Sequence, residues 1–455
     1  MKQLAIAALA AAALALAGCA SFSNDGGFGT VRQLTRERTG QVPRYQRTTA
    51  DADEAQARVA ELLRLPLTAD GAVEIALLNN RELQAGFAEL GIAEADRVRA
   101  GRLGNPTLRV GRLGGGGSVE IDRALVFDVL GLLTLPLAEP LERARFEQTQ
   151  LRAAYEAVGL ASEARRAYFD AVCAEQLAAY AGQVKDAADA SSELAQRMLQ
   201  AGNFSALAQM REQAFHADAV AQLARARQRA VAERERLIRT LGLDAGQLEF
   251  TLPARLPDLP AQPADAVGAE QTAMDKRLDV LMARRSTEAT AKSLGLTRAS
   301  RFVNVLDAGF QNRSISGEPR SAGYTLELEL PLFDFGSVRL ARAEATYLQA
   351  MHRTAQVALA ARSEVRESYA AYRTAYELAR HFRDEVVPLR QRISQENLLR
   401  YNAMLVSVFE LLADARDQIA GVTGAVETLR DYWVAETDLQ TALTGRSTRD
   451  PRASR

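Results

Sequence analysis

The sequence predicts a mainly α-helical chain with a small β part, in which four strands form two hairpins that further copies of the chain complete. Three observations carry that prediction. The 455 residues hold long polar-apolar stretches with few Pro/Gly clusters and only 6% aromatics, as extended helices do. The two halves match in order at a spacing of about 200 residues. Short segments in each half alternate apolar and polar residues with a period of two.

The chain opens with Lys2, an apolar stretch from Leu4 to Ala17 and the tetrapeptide Leu16-Ala17-Gly18-Cys19. A charged start, a short apolar core and small residues before the cleavage point read as an export signal over residues 1–18 rather than a membrane-spanning helix. The mature chain then begins at a lipidated Cys19, and Ala20 behind it resembles the bacterial lipoproteins of the outer membrane, facing the periplasm. Residues 19–66, rich in Arg, Thr, Gly and Asp, read as a tether from that anchor.

Charge excludes one partner class. With 56 basic and 57 acidic residues the formal net charge is −1, so nucleic acid is not an expected partner. With Cys19 lipidated, Cys173 is the one remaining thiol, which leaves no intrachain disulfide or cysteine metal cluster and suggests a packing role.

The first repeat spans 67–252 and the second 265–445, joined by a proline-rich link at 253–264 and followed by a polar tail at 446–455. In the first, ALLNNRELQAGFAELGIAEADRVRAGR (76–102) leads into strand-like sequence; in the second, AMDKRLDVLMARRSTEATAKSLGLTRASR (273–301) does the same. Each half predicts a helix of about 30 residues, a hairpin (105–137 and 300–334), a very long helix, a break and another long helix. After Pro136 and after Pro331 the chain runs for about 60 residues with almost no breaker, about 90 Å of helix. Leu389, Ile393 and Leu399 illustrate its apolar stripe, and Pro388 marks a kink or a join.

In Tyr324–Leu332 the even positions are apolar and the odd ones mostly polar; Phe302–Gln311 is its partner, and Leu108–Gly111 with Leu125–Leu135 are the first-half equivalents. Gly114-Gly115-Gly116-Gly117 reads as a hairpin tip, since no Lys-Ser/Thr follows to make a phosphate loop. An open sheet edge cannot face lipid, so four strands in a membrane need other subunits: two copies give eight strands and three give twelve. The alternative is hairpins that cap a lipid-anchored periplasmic coiled-coil scaffold or adaptor.

These residues in series resemble the outer-membrane factor family, of which TolC is the namesake. LTADGAVEIALLNNRELQA (67–85) resembles its opening helix, Asn105-Pro106-Thr107-Leu108 its helix-to-strand junction, Pro331-Leu332-Phe333-Asp334-Phe335-Gly336 its second strand-to-helix junction, and RYNAMLVSVFELLADA (400–415) the tip between its long helices, answered in the first half by RMLQAGNFSALAQM (197–210). The resemblance implies a homotrimer whose four strands per chain complete a 12-stranded outer-membrane β-barrel above a long antiparallel α-helical coiled-coil barrel. It also implies an exit duct working with a periplasmic adaptor and an inner-membrane pump, surrounded by outer-membrane lipid; the lipoprotein signal resembles the efflux branch. Two departures stand out: Met404 replaces the tip glycine that Gly202 keeps, and LPLAEPLERARFE (135–147) lacks the Phe-Asp-x-Gly of its partner, with a junction about six residues shorter.

A duct needs a closure, and matching along the tip motif puts Glu410 at one position of a carboxylate ring and Ala413 at the other. Glu410, with Asp414 and Asp417 as further candidates, is expected to select cations or to lock the closed state through Arg400 or Arg416; otherwise these charges belong to a solvated coiled-coil face. The tip turns, at Gly202, Asn203, Ser205, Met404 and Ser407, are the expected docking points for pump or adaptor. No catalytic residue, cofactor or metal site is expected, since His216, His352 and His381 sit in predicted helices without zinc spacing and no nucleophile or nucleotide motif occurs.

Overall fold

A computed structural model describes residues 21–115, 117–265, 268–403, 405–406 and 408–445. The export signal, Cys19, Met404, Ser407 and the polar tail lie outside them. The chain forms two compact units: one takes the described residues up to Val31 with Gly86–Ala153 and Asp279–Leu359, the other takes Arg32–Ala85, Ala154–Leu278 and the chain from Ala360 on.

The elements are α1 (Phe28–Thr39), α2 (Thr49–Leu63), α3 (Ala69–Asn79), α4 (Arg81–Ala100), β1 (Thr107–Gly115), β2 (Ser118–Asp128), α5 (Val129–Gln200) and α6 (Ala206–Leu241). After them come α7 (Ala269–Lys276), α8 (Leu278–Ala299), β3 (Val305–Ile315), β4 (Ser321–Glu329), α9 (Ser337–His381), α10 (Val387–Asn402) and α11 (Val408–Thr444).

In the first unit both hairpins join into one antiparallel sheet of order β1-β2-β3-β4, the middle pairing running between the two halves of the sequence. β2 stops earlier than the alternation to Leu135 suggests. Asp128 accepts a hydrogen bond from the Gly131 amide at 2.7 Å, capping a helix that starts at Val129. The 72-residue α5 therefore contains Pro136 and Pro140 rather than beginning after them, and each proline leaves the carbonyl four residues before it without a helical donor. In the second half β4 ends at Glu329, and the chain makes a real turn before α9, with Phe335 at φ 49° and Gly336 at φ 69°. The Asp334 carboxylate accepts from the Gly336 amide at 3.0 Å. The Phe-Asp-Phe-Gly sequence builds this turn, and the first half does without it because its helix follows the strand directly.

The helix of about 30 residues expected in each half is two helices, broken at a matching position. Asn80 (ψ 119°) separates α3 from α4, and Arg277 (ψ 125°) separates α7 from α8. Asn80 recaps its helix by accepting from the Leu83 amide at 3.1 Å. Pro388 marks a join: a π-helical turn at Phe382–Val386 inserts before it, and Pro388 takes the second position of α10, where its missing N–H costs nothing.

The second unit holds the larger core, where Ile75 and Leu78 of α3, Tyr168, Val172 and Cys173 of α5, and Leu237 and Leu241 of α6 bury together. Trp433 of α11 stacks on Phe169 at 5.4 Å and donates from Nε1 to the Pro257 carbonyl at 3.0 Å. The proline-rich link is stitched down at further points: the Leu256 amide donates to Gln176, the Tyr376 hydroxyl to the Ala261 carbonyl and the Ala264 amide to the Tyr372 hydroxyl. The N-terminal segment is also ordered, and Arg38 donates to the carbonyls of Thr444 at 2.9 Å and Lys276 at 2.7 Å. That basic group sits where the last turn of α11 leaves its carbonyls unpaired.

Candidate channel wall and helical tip

The register sorts the sheet into two chemically distinct faces. On one, Leu108, Leu125, Phe310 and Tyr324 form a single cross-strand row, followed by Phe127, Ala308 and Leu326 and then by Leu306 and Leu328. Tyr324 is 88% exposed and Leu326 66%, so this greasy surface has no cover among the described residues. The opposite face carries Gln311, Thr325, the rung Asp128–Asp307–Glu327, and Arg313, whose Nε lies 2.9 Å from both Glu120 and Asp122. β1 and β4 each present an unpaired edge among the described residues. Apolar on one side, polar on the other and open at both ends is the design of a segment of barrel wall.

At the first-half tip, the Asn203 amide donates to the Met198 carbonyl at 2.9 Å and the Gly202 amide to Leu199 at 3.0 Å, with Gly202 at φ 74°. That is a helix stop with its glycine in the left-handed region. Ser205 then opens α6 by accepting from the Ala208 amide at 3.2 Å. The second half repeats the closing bond, since the Leu405 amide donates to the Arg400 carbonyl at 2.9 Å.

The three candidate gate carboxylates occupy one side of α11 at intervals of four and three, yet the structure treats them differently. Glu410 is exposed in the first turn and makes no ion pair among the described residues. Asp414 is 6% exposed, and neither carboxylate oxygen has a hydrogen-bond partner among the described residues. Asp417 accepts from Arg390 of α10 at 2.6 Å, a partner that no single-helix spacing announces. Among the described residues neither Arg400 nor Arg416 pairs with Glu410. Arg400 pairs with Glu396 at 3.0 Å, and the Arg416 guanidinium lies 4.8 Å from the centre of the Phe215 ring.

Two of the three histidines have structural partners. His216 Nε2 lies 2.7 Å from Asp189, which also holds Lys185, and His381 lies 3.3 Å from Glu385. Burial pushes the Cys173 thiol up to about 11, so it is not a thiolate at neutral pH. Among the described residues no group of His, Cys, Asp and Glu could hold a metal ion, and no helix is long and apolar enough to cross a membrane.

Comparison with known proteins agrees with this geometry. Residues 270–443 match the family model described as outer membrane efflux protein. No curated protein sequence matches the chain. Among solved structures, a membrane protein from Pseudomonas aeruginosa superposes with TM-score 0.71 at 20% identity, over 85% of this chain and 93% of its own. CusC, described as forming a transmembrane channel, gives 0.69 at 19% over 83% and 92%. The CmeC outer membrane channel of Campylobacter jejuni gives 0.69 at 13% over 85% and 88%. Over residues 270–443 the chain is similar to the outer membrane efflux proteins, and its fold is shared with these solved structures.

Proposed function

We propose that the chain is the exit duct of a tripartite efflux system, conducting small molecules passively across the outer membrane after an inner-membrane pump has expelled them. One observation carries this reading: a four-stranded sheet with an exposed apolar face, a polar face and two open edges, in a chain whose residues 270–443 match the outer membrane efflux protein model. Lipid covers the apolar face, water fills the polar side, and neighbouring copies pair the edges. Three copies make a 12-stranded barrel, and Cys19 carries the lipid that holds each to the outer membrane.

A duct works by geometry. Replacing hydrocarbon by water removes the desolvation barrier for a polar solute, and a constriction prevents leakage. The tip turns at Gly202, Asn203 and Ser205, with Met404 and Ser407, receive the periplasmic adaptor or pump. Glu410 forms the gate ring, supported by its exposure and its lack of an ion pair among the described residues. Asp417, held by Arg390, ties α10 to α11 beside it, and Asp414 joins the ring only when α11 turns out of its present packing.

Single-channel conductance of the purified lipidated protein in planar bilayers, wild type against Glu410→Ala at matched salt, tests this. Discrete steps, with altered cation preference or closed-state leak in the variant, are the expected result. Absence of conductance together with protease cleavage of both hairpins in outer-membrane vesicles would overturn it.

A further inference from the structure

In the first unit, α8 carries a seam that breaks the usual rule for helix packing. Ser286, Thr290, Ser293 and Thr297, with Ser300 just past the helix end, recur at alternating intervals of four and three, the spacing at which a helix between two neighbours ordinarily places apolar residues. Here every position is a hydroxyl, over about 21 Å. Beside the seam, Ala289 packs against Leu141 and Ala144 of α5.

The seam forms the floor of a groove of about 400 Å³ whose walls are α5 and α9. Three guanidinium groups line it, Arg145 from α5 and Arg339 and Arg342 from α9, and no carboxylate does. The nearby acids are engaged: Glu142 takes one nitrogen of Arg145, Glu344 accepts from Arg298 at 3.1 Å, and Glu288 is held by Arg285 at 2.7 Å and Lys292 at 2.9 Å. Among the described residues Arg339 donates only to the carbonyls of Ser300 and Arg301, with no carboxylate to neutralise its charge, and Arg342 has no ion-pair partner.

The hydroxyls complete the chemistry. Thr290, Thr297 and Ser300 donate to carbonyls of their own helix, whereas Ser286 and Ser293 have no such bond among the described residues and remain available as donors. Fixed positive charge beside hydroxyl donors, with no carboxylate in the lining, is the donor set that takes an oxyanion. The volume falls within the range of about 300–1,000 Å³ usual for small-molecule sites.

We propose that this groove is a binding site for an oxyanion, the phosphate or carboxylate group of a small molecule or of a lipid headgroup, with Arg342 and Arg145 facing it across the seam and Ser293 donating from the floor.

The test is isothermal titration calorimetry of the full-length protein in detergent with sodium phosphate and, separately, with dioctanoyl phosphatidylglycerol, using dioctanoyl phosphatidylcholine as control. Saturable binding of phosphate is expected, at least tenfold weaker in the Arg145→Gln/Arg342→Gln double variant and measurably weaker in Ser293→Ala. Arg366→Gln, an exposed arginine paired with Glu270 elsewhere, keeps wild-type binding. Saturable binding of the phosphatidylglycerol alone, lost in the same variants, assigns the headgroup as the source of the oxyanion. No saturable binding of either anionic probe, or affinities unchanged in a double variant with a wild-type melting curve, overturns the proposal.

Discussion

A Cβ placed on Gly336 would lie 2.2 Å from the carbonyl oxygen of Arg301, in a turn where Gly336 has φ 69°. Two independent constraints thus fall on one residue: the left-handed conformation, and the close passage of the chain that enters β3. The Phe-Asp-Phe-Gly motif is therefore a backbone device that turns the end of β4 into α9, with Phe333 and Phe335 left exposed around it.

Gly336→Ala is expected to lower the melting temperature, since the φ strain alone costs about 1–3 kcal/mol and the collision forces Arg301 to move as well. Circular dichroism melts of wild type, Gly336→Ala and Gly317→Ala make the comparison. Gly317 has φ 87° but nothing near its absent Cβ, so it should show only the strain component. Equal losses in both variants would remove the close-approach argument.

Arg277 is 1% exposed and holds Glu364, while its guanidinium also reaches the carbonyls of Ala361 and Ala442. Truncating it strands a largely buried carboxylate, so Arg277→Ala is expected to cost about 3–5 kcal/mol. The double substitution Arg277→Met/Glu364→Leu, which removes both charges and keeps volume, should recover most of that loss. Thermal melts of the single and double variants decide it; a double variant as unstable as Arg277→Ala would mean that the backbone bonds, not the pair, dominate.

What the sequence makes legible follows physical range. The sheet can be read from Tyr324–Leu332 because a two-residue period needs no partner to be visible, and the first tip can be read from Gly202 because a left-handed helix stop selects glycine locally. The start of α5 is hidden, since the apolar run Val129–Leu135 suits strand or helix equally and Asp128 decides between them through a single cap. Arg277 looks like one more charge beside Lys276, and nothing local says that it is buried. Arg390 and Asp417 meet across two helices, and Asp414 lies buried among residues whose spacing alone would place it on a solvated stripe. The domain-scale order is periodic and so survives in one dimension; the ion pairs and burial that set a carboxylate's role are nonlocal.

The two sheet faces should respond oppositely to charge. Leu326→Arg, on the apolar face, is expected to cost about 2–4 kcal/mol at mid-bilayer depth and to reduce the folded fraction in outer-membrane vesicles. Gln311→Arg, on the polar face, should leave assembly near wild type and alter ion preference instead. Heat-modifiable electrophoretic mobility reports the folded fraction, and equal tolerance of both substitutions would contradict a lipid-facing surface.

Burial in the second unit pushes the Glu436 carboxyl above the usual glutamate range, against the opposing pull of Arg165 and a hydrogen bond donated by Gln440 at 2.6 Å. Because the folded chain binds this proton more tightly than the unfolded chain, the contribution of Glu436 to stability increases as pH falls through the raised value. It is lost once pH exceeds that value and the carboxylate must stay ionised while buried. Carboxylates such as Asp384, held low by Arg383, work in the opposite direction, so the total pH profile mixes both signs. The difference between wild type and Glu436→Gln isolates one group. The variant is expected to melt higher at neutral pH, with its advantage shrinking toward about pH 4, where wild-type Glu436 is protonated too. Melting curves at matched ionic strength across that range check it; a variant that melts lower than wild type at neutral pH would show that the Arg165 attraction outweighs the desolvation of the carboxylate.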